Sequence, residues 1–149
     1  LRPQSRGSIH ITSPDHTEQP AIAPNYLSAD ADKKVAADSI RLTRKIASQP
    51  ALSPYAPEEF KPGPAYDSEE DLIRAAGDIG TTIFHPVGTC RMGADPASVV
   101  DPELRLRGLD GLRIADASIM PTIVSGNTNS PTIMIAEKAA AMIRASATQ

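Results

Sequence analysis

The run that most restricts this chain is "SPTIMIAEKAAAMIRA", Ser130 to Ala145. Serine is a preferred residue at a helix start, because its hydroxyl accepts from a backbone N–H that has no intrahelical partner. Proline is tolerated in the first turn, where its missing N–H costs nothing. Helix formers then follow without interruption, which predicts a helix with Ser130 as its N-cap and Pro131 at the first helical position. Apolar and small residues on all its sides predict substantial burial. Glu137 and Lys138 break the apolar run, so it does not read as a membrane span.

Two more helices are legible. In "ADADKKVAADSIRLTRKIASQP", Val35, Leu42 and Ile46 form one row, with Ala36, Ile40, Thr43 and Ala47 beside it, at a period of 3.6. Asp30 and Asp32 suit the positive start of this helix, Arg44 and Lys45 suit its end, and Pro50 stops it. In "SEEDLIRAAGDIG", Ser68 with Asp71 three residues on predicts a capping box, and Gly80 an end. Between these helices, "PALSPYAPEEFKPGPAY" is so rich in proline that an ordered loop without regular structure is expected.

Strand signals are shorter. "GSIHIT" alternates Ile9 and Ile11 with Ser8, His10 and Thr12, so the two isoleucines are expected to face a core. "TTIFH" is β-prone and would leave His85 at a strand end. Two further candidates, Glu103 to Arg107 and Leu112 to Ala115, flank the turn "GLDG".

Composition narrows the function classes. The chain has 149 residues, 22% of them charged, with a formal net charge of -3, so no basic surface offers itself to a nucleic acid. One cysteine makes no internal disulfide, leaves the redox compartment open and, with three scattered histidines, supplies no zinc-ligand spacing. No metal site is expected. The chain opens at Leu1 in strand-like sequence, which suggests the C-terminal piece of something longer, with any targeting signal outside it.

The densest chemistry lies in "FHPVGTCRMG", Phe84 to Gly93. His85 reads either as a structural hydrogen-bonding group or as a general base. Cys90 reads better as a small packing residue than as a nucleophile paired with His85. Asn127 and Asn129, in "VSGNTNS", lie just upstream of the last helix. They either satisfy the backbone of a turn or add donors to a helix end that attracts negative charge.

Taken together, "TTIFHPVGTCRMG", "VVDPELRLRGLDGLRIADASIMP" and "SGNTNSPTIMIAEKAAAMI" resemble the C-terminal signature of the glucose-methanol-choline oxidoreductases, in the branch of choline dehydrogenase and related flavin-dependent alcohol dehydrogenases. "RGSIHITSPD" and "APNYLS" extend the resemblance over nearly the whole chain. It implies an α+β fold, an antiparallel sheet with helices on one side. Residues 1–110 would form most of the C-terminal part of a substrate-binding domain, and 111–149 a strand and helix that complete the flavin domain.

The resemblance further implies FAD as cofactor, an alcohol as substrate and the protein's own N-terminal FAD-binding portion as partner. That portion is needed because no GxGxxG fingerprint occurs in this chain, and the chain alone is expected to be inactive and to bind FAD weakly. His85 would take the proton of the substrate hydroxyl as hydride leaves for flavin N5, and Asn129 would hydrogen-bond the substrate oxygen. Asp116 and Ala117 would approach the ribityl and pyrophosphate part of the cofactor, and Asn127, Ser130, Pro131 and Thr132 its ring. The specific alcohol and the electron acceptor are left open. The competing reading is a non-catalytic assembly module that keeps the family shape, and a thiol enzyme built on Cys90 and His85 ranks below both.

Overall fold

The computed structural model describes residues 2–147, and these divide into two compact units, one spanning Pro3–Thr82 and the other running from Ile83 onward with Arg2 attached. The first unit opens with two three-residue strands, β1 (Ser8–His10) and β2 (Ala21–Ala23). They pair antiparallel in the register Ser8↔Ala23, Ile9↔Ile22 and His10↔Ala21. Gly7 allows this approach, since a Cβ there would lie 2.3 Å from the carbonyl oxygen of Ala23. The two isoleucines expected in a core are instead exposed, Ile9 at 44% and Ile11 at 89%. Strands this short, in a sheet of only two, carry exposed side chains along their whole length.

Helix α1 (Asp30–Ala47) and helix α2 (Glu69–Ile79) pack on each other. Their contact buries Ala37, Leu72 and Ala75. On α1 the covered side runs through Lys33, Ala36, Ala37, Ile40, Arg41 and Arg44, so the row beside the expected one is the packed row. Val35, Leu42 and Ile46 are more than half exposed. Periodicity shows that an apolar stripe exists, but this stripe is wide enough that the neighbour selects which edge of it is buried.

The Ser68 cap forms as expected, its hydroxyl oxygen accepting from the Asp71 N–H at 3.1 Å. Gly80 follows α2 in an extended conformation. The proline-rich segment is more regular than predicted, because Pro50–Tyr55 winds into a 3-10 helix. Proline at its first position needs no N–H partner there.

The second unit is built around Val100, Leu104, Ile119, Met120, Ile135 and Ala139. Among the described residues its regular elements are a single 3-10 turn, Ala117–Ile119, and helix α3 (Asn129–Ala147) packed against it. The expected strands are reduced to isolated bridges such as Arg105↔Arg113, with Leu106 N–H donating to the Leu112 carbonyl at 2.9 Å. Glycines 108 and 111 turn the chain between them with φ of +83° and +76°. "TTIFH" is not a strand, so His85 sits in a loop rather than at a strand end. Phe84, with φ of +61°, breaks the extended path just before the histidine.

Helix α3 also departs from expectation at its start and on its surface. It begins at Asn129, one position before the expected cap, and the Thr128 carbonyl accepts its first helical bond from Thr132 N–H at 3.0 Å. Pro131 is therefore the third helical residue, still among the positions with no internal N–H partner. Only Ile135 and Ala139 are buried, while Ile133, Met134 and Ile143 are exposed.

Candidate functional site

The loop from Phe84 to Gly93 is pinned along its second half. Cys90 N–H donates to the Ser118 carbonyl at 3.0 Å and Met92 N–H to the Ile119 carbonyl at 2.8 Å. Arg91 forms a bidentate pair with Asp95 at 2.8 and 2.9 Å. Its guanidinium holds the Asp95 carboxyl down to about 2. Arg91 and the backbone of Cys90 therefore hold the motif in place, and the Cys90 side chain is half-buried. Gly88 turns the first half of the loop with φ of +89°, a conformation that side-chain-bearing residues rarely adopt.

His85 emerges from this loop half-buried and is held at both ring nitrogens. Its Nε2 lies 3.0 Å from Asn127 Nδ2 and its Nδ1 lies 2.8 Å from Thr128 Oγ1. Both partners belong to the chain just before α3, so two segments distant in sequence converge on one imidazole. Asn127 is exposed, whereas Thr128 is only 8% exposed. The Thr128 carbonyl is engaged as well, accepting from both the N–H and the hydroxyl of Thr132.

The residues singled out in the sequence fall into three groups, besides half-buried Pro131 and Thr132 in the first turn of α3. His85 and Asn127 are in contact. Asn129 and Ser130, the first two residues of α3, are exposed, and among the described residues the Asn129 side chain forms no hydrogen bond to His85. Asp116 and Ala117 lie at the 3-10 turn packed against α3, and Asp116 Oδ1 accepts from Ser118 N–H at 2.7 Å. Thr128 was not anticipated. Its signal in the sequence is only its position beside a helix start, which does not say that its hydroxyl turns toward residue 85.

An imidazole fixed at one nitrogen by a buried hydroxyl and reachable at the other beside an exposed amide can accept a proton at a defined point. The carboxamides of Asn127 and Asn129 and the first N–H groups of α3 are donors suited to a negatively charged or carbonyl-bearing group. Among the described residues no cluster of His, Cys, Asp and Glu could hold a metal ion.

The chain matches the GMC oxidoreductase family model over residues 3–136 and belongs to that family. It is 50% identical over 143 residues to an alcohol dehydrogenase [acceptor] of Pseudomonas putida, covering 96% of this chain and 26% of the relative. It is 49% identical over 144 residues to an oxygen-dependent choline dehydrogenase of Escherichia coli, covering 97% and 26%. Among solved structures, an FAD-dependent oxidoreductase from Chaetomium thermophilum superposes with a TM-score of 0.92 at 27% identity, over 99% of this chain and 26% of that one. The chain thus spans about a quarter of the length of the curated relatives it matches.

Proposed function

We propose that this chain is the C-terminal, base-bearing part of an FAD-dependent oxidoreductase that converts an alcohol to an aldehyde or ketone. The single observation that carries this reading is the imidazole of His85, held at Nδ1 by Thr128 and reachable at Nε2 beside Asn127. Family membership and the names of the alcohol and choline dehydrogenase relatives support the reaction class. Residues 1–110 would form most of the C-terminal part of the substrate-binding domain and 111–149 would complete the flavin domain, with the remainder of the protein supplying the cofactor's main binding site.

An alcohol hydroxyl is a weak acid, so oxidation at its carbon needs a base to take the proton. His85 Nε2 takes it, breaking the O–H bond as an N–H bond forms, a contribution of roughly 10²–10⁴ in rate. The substrate hydroxyl replaces the Asn127 amide as the group facing Nε2, and that amide then donates to the oxygen as negative charge builds on it. When bound, the flavin supplies the two-electron acceptor for the hydride leaving the carbon.

The donor set at the start of α3 fits such a cofactor. The N–H groups of Asn129 and Ser130 precede the first helical bond, Pro131 adds no competing donor, and the exposed side chains of Asn129 and Ser130 extend the same edge. Positive potential from the helix end suits the negative charge of a reduced ring. Asp116 and Ala117 would meet the sugar-alcohol chain from the adjoining turn, and Thr132 holds this start in place through its bonds to the Thr128 carbonyl.

The test is anaerobic reduction of the full-length flavoprotein by alcohol. His85→Ala should retain flavin and reduce it roughly 10²–10⁴ times more slowly. Reduction at the wild-type rate would remove His85 from the mechanism. These 149 residues expressed alone should be colourless and inactive.

A further inference from the structure

The proposed proton transfer requires Nε2 of His85 to carry the lone pair, and the geometry accounts for that requirement. The Asn127 amide nitrogen, 3.0 Å from Nε2, can only donate, so Nε2 is the acceptor and bears the lone pair. In a neutral imidazole the proton then sits on Nδ1. That N–H points at Thr128 Oγ1, 2.8 Å away, and the hydroxyl oxygen accepts it.

We propose that Thr128 is the positioning residue of this site, holding His85 in the Nδ1–H tautomer with Nε2 presented as the base. The inference rests on the base role of His85 and adds a residue that role does not require in itself. Thr128 is suited to the task in three ways. It is buried, so water does not compete for the histidine N–H. It is β-branched, with few side-chain rotamers available. Its own carbonyl is tied by the N–H and the hydroxyl of Thr132 at the start of α3, so the hydroxyl is carried on a fixed backbone.

The same oxygen serves after the proton has moved. The imidazolium donates from both nitrogens, and Thr128 Oγ1 still accepts from Nδ1–H without rearranging. A bond that persists through the transfer keeps the ring still while the bond at Nε2 changes partner. Asn127 is exposed and can yield its place to a substrate hydroxyl, whereas Thr128 is buried and its backbone is tied to α3. The two partners of one ring thus differ in kind, one exchangeable and one fixed.

The test uses the full-length holoenzyme in single-turnover anaerobic reduction, with Thr128→Val, Thr128→Ser and each combined with His85→Ala. Thr128→Val keeps the branched shape and removes the acceptor. It should lower the limiting rate of reduction on the order of 10–100-fold, with the apparent Kd for alcohol and the flavin content unchanged. Thr128→Ser restores the acceptor and should recover the rate to within about 3-fold, on the ordinary scale of a conserved hydrogen bond. In the His85→Ala background, Thr128→Val should add nothing, because two residues acting as one unit do not lose rate independently.

Wild-type reduction by Thr128→Val, an equal defect in Thr128→Ser, or an undiminished further loss in the His85→Ala background would each overturn the positioning role. Wild-type reduction by His85→Ala alone would instead overturn the base role on which it rests. A Thr128→Val protein that fails to hold flavin leaves the serine variant to decide: full rate in Thr128→Ser supports the role, and a large loss there rejects it.

Discussion

Asp32 Oδ2 accepts two hydrogen bonds from Ser5, from its backbone N–H at 2.7 Å and from its hydroxyl. The other carboxylate oxygen accepts from Gln4 N–H at 2.9 Å. A residue placed in the first turn of α1 by the helix dipole therefore also fastens the segment leading into β1. These bonds, the Ser5 hydroxyl foremost, hold the Asp32 carboxyl below the usual carboxylate range.

Asp32→Ala should release that segment. Loss of the charged acceptor is expected to cost about 1–3 kcal/mol locally, with faster amide exchange at Gln4 and Ser5 while the amides of α2 are unaffected. Unchanged exchange at Ser5 would show that the segment is held by something else. Since the folded carboxyl is depressed, the stabilisation is present above its unfolded value and declines as pH falls through the folded one.

Asp95 provides a sharper pH test. Its carboxyl is lowered from 3.8 to about 2, chiefly by the hydrogen-bonded Arg91 guanidinium. The stabilisation of the loop 91–95 is therefore complete above 3.8 and is lost as pH falls through about 2. A carboxyl-carbon NMR titration should place the Asp95 midpoint near 2, and Arg91→Met should return it toward 3.8. A wild-type midpoint already near 3.8 would mean that the pair does not persist in solution.

Gly88→Ala should disturb the site without touching a proposed catalytic group. At φ of +89° an added Cβ would lie 3.4 Å from the Met120 carbonyl oxygen. Space is nearly adequate, so the cost is conformational, at least about 1–2 kcal/mol. The expected result is a lower melting temperature with slower flavin reduction, since the strained loop carries His85. A melting temperature equal to the wild type would show that the loop can turn elsewhere.

The two asparagines before and at the start of α3 are separable by kinetics. Asn127→Ala removes the amide beside Nε2 and should slow the limiting rate of anaerobic flavin reduction by at least 10²-fold, the scale for a donor to a developing oxyanion. Asn129→Ala leaves the partners of His85 in place and should act mainly on flavin affinity or spectrum. The reverse pattern would give the substrate-facing role to Asn129, the position to which the resemblance to the family assigns it.

Much of this molecule follows from local sequence. The Ser68 cap, the stop at Pro50 and the helical character of the last run depend on backbone donors and proline geometry within a few residues, and they are legible without a partner. His85 could be singled out in the same way, from residue types clustered in one turn. What sequence alone could not decide is which side of each element meets another. Val35 and Ala37 are both apolar positions on α1, and only the arrival of α2 makes the second buried. Ile9 and Ile11 alternate as a half-buried strand does, yet the two-stranded pair leaves them exposed.

The site shows the same division. That residues 127–129 lie at a helix start is local information, but which of them reaches His85 depends on where α3 starts and how it packs on the turn at Ala117–Ile119. Those are tertiary quantities, set by the shared core of Ile119, Ile135 and Ala139. The sequence by itself determined that three helices form, the cap at Ser68 and the stop at Pro50, and it marked His85 as a candidate. The tertiary structure alone decided that Thr128 and Asn127 hold its ring, because contact between residues about forty positions apart is fixed by packing rather than by any pattern along the chain.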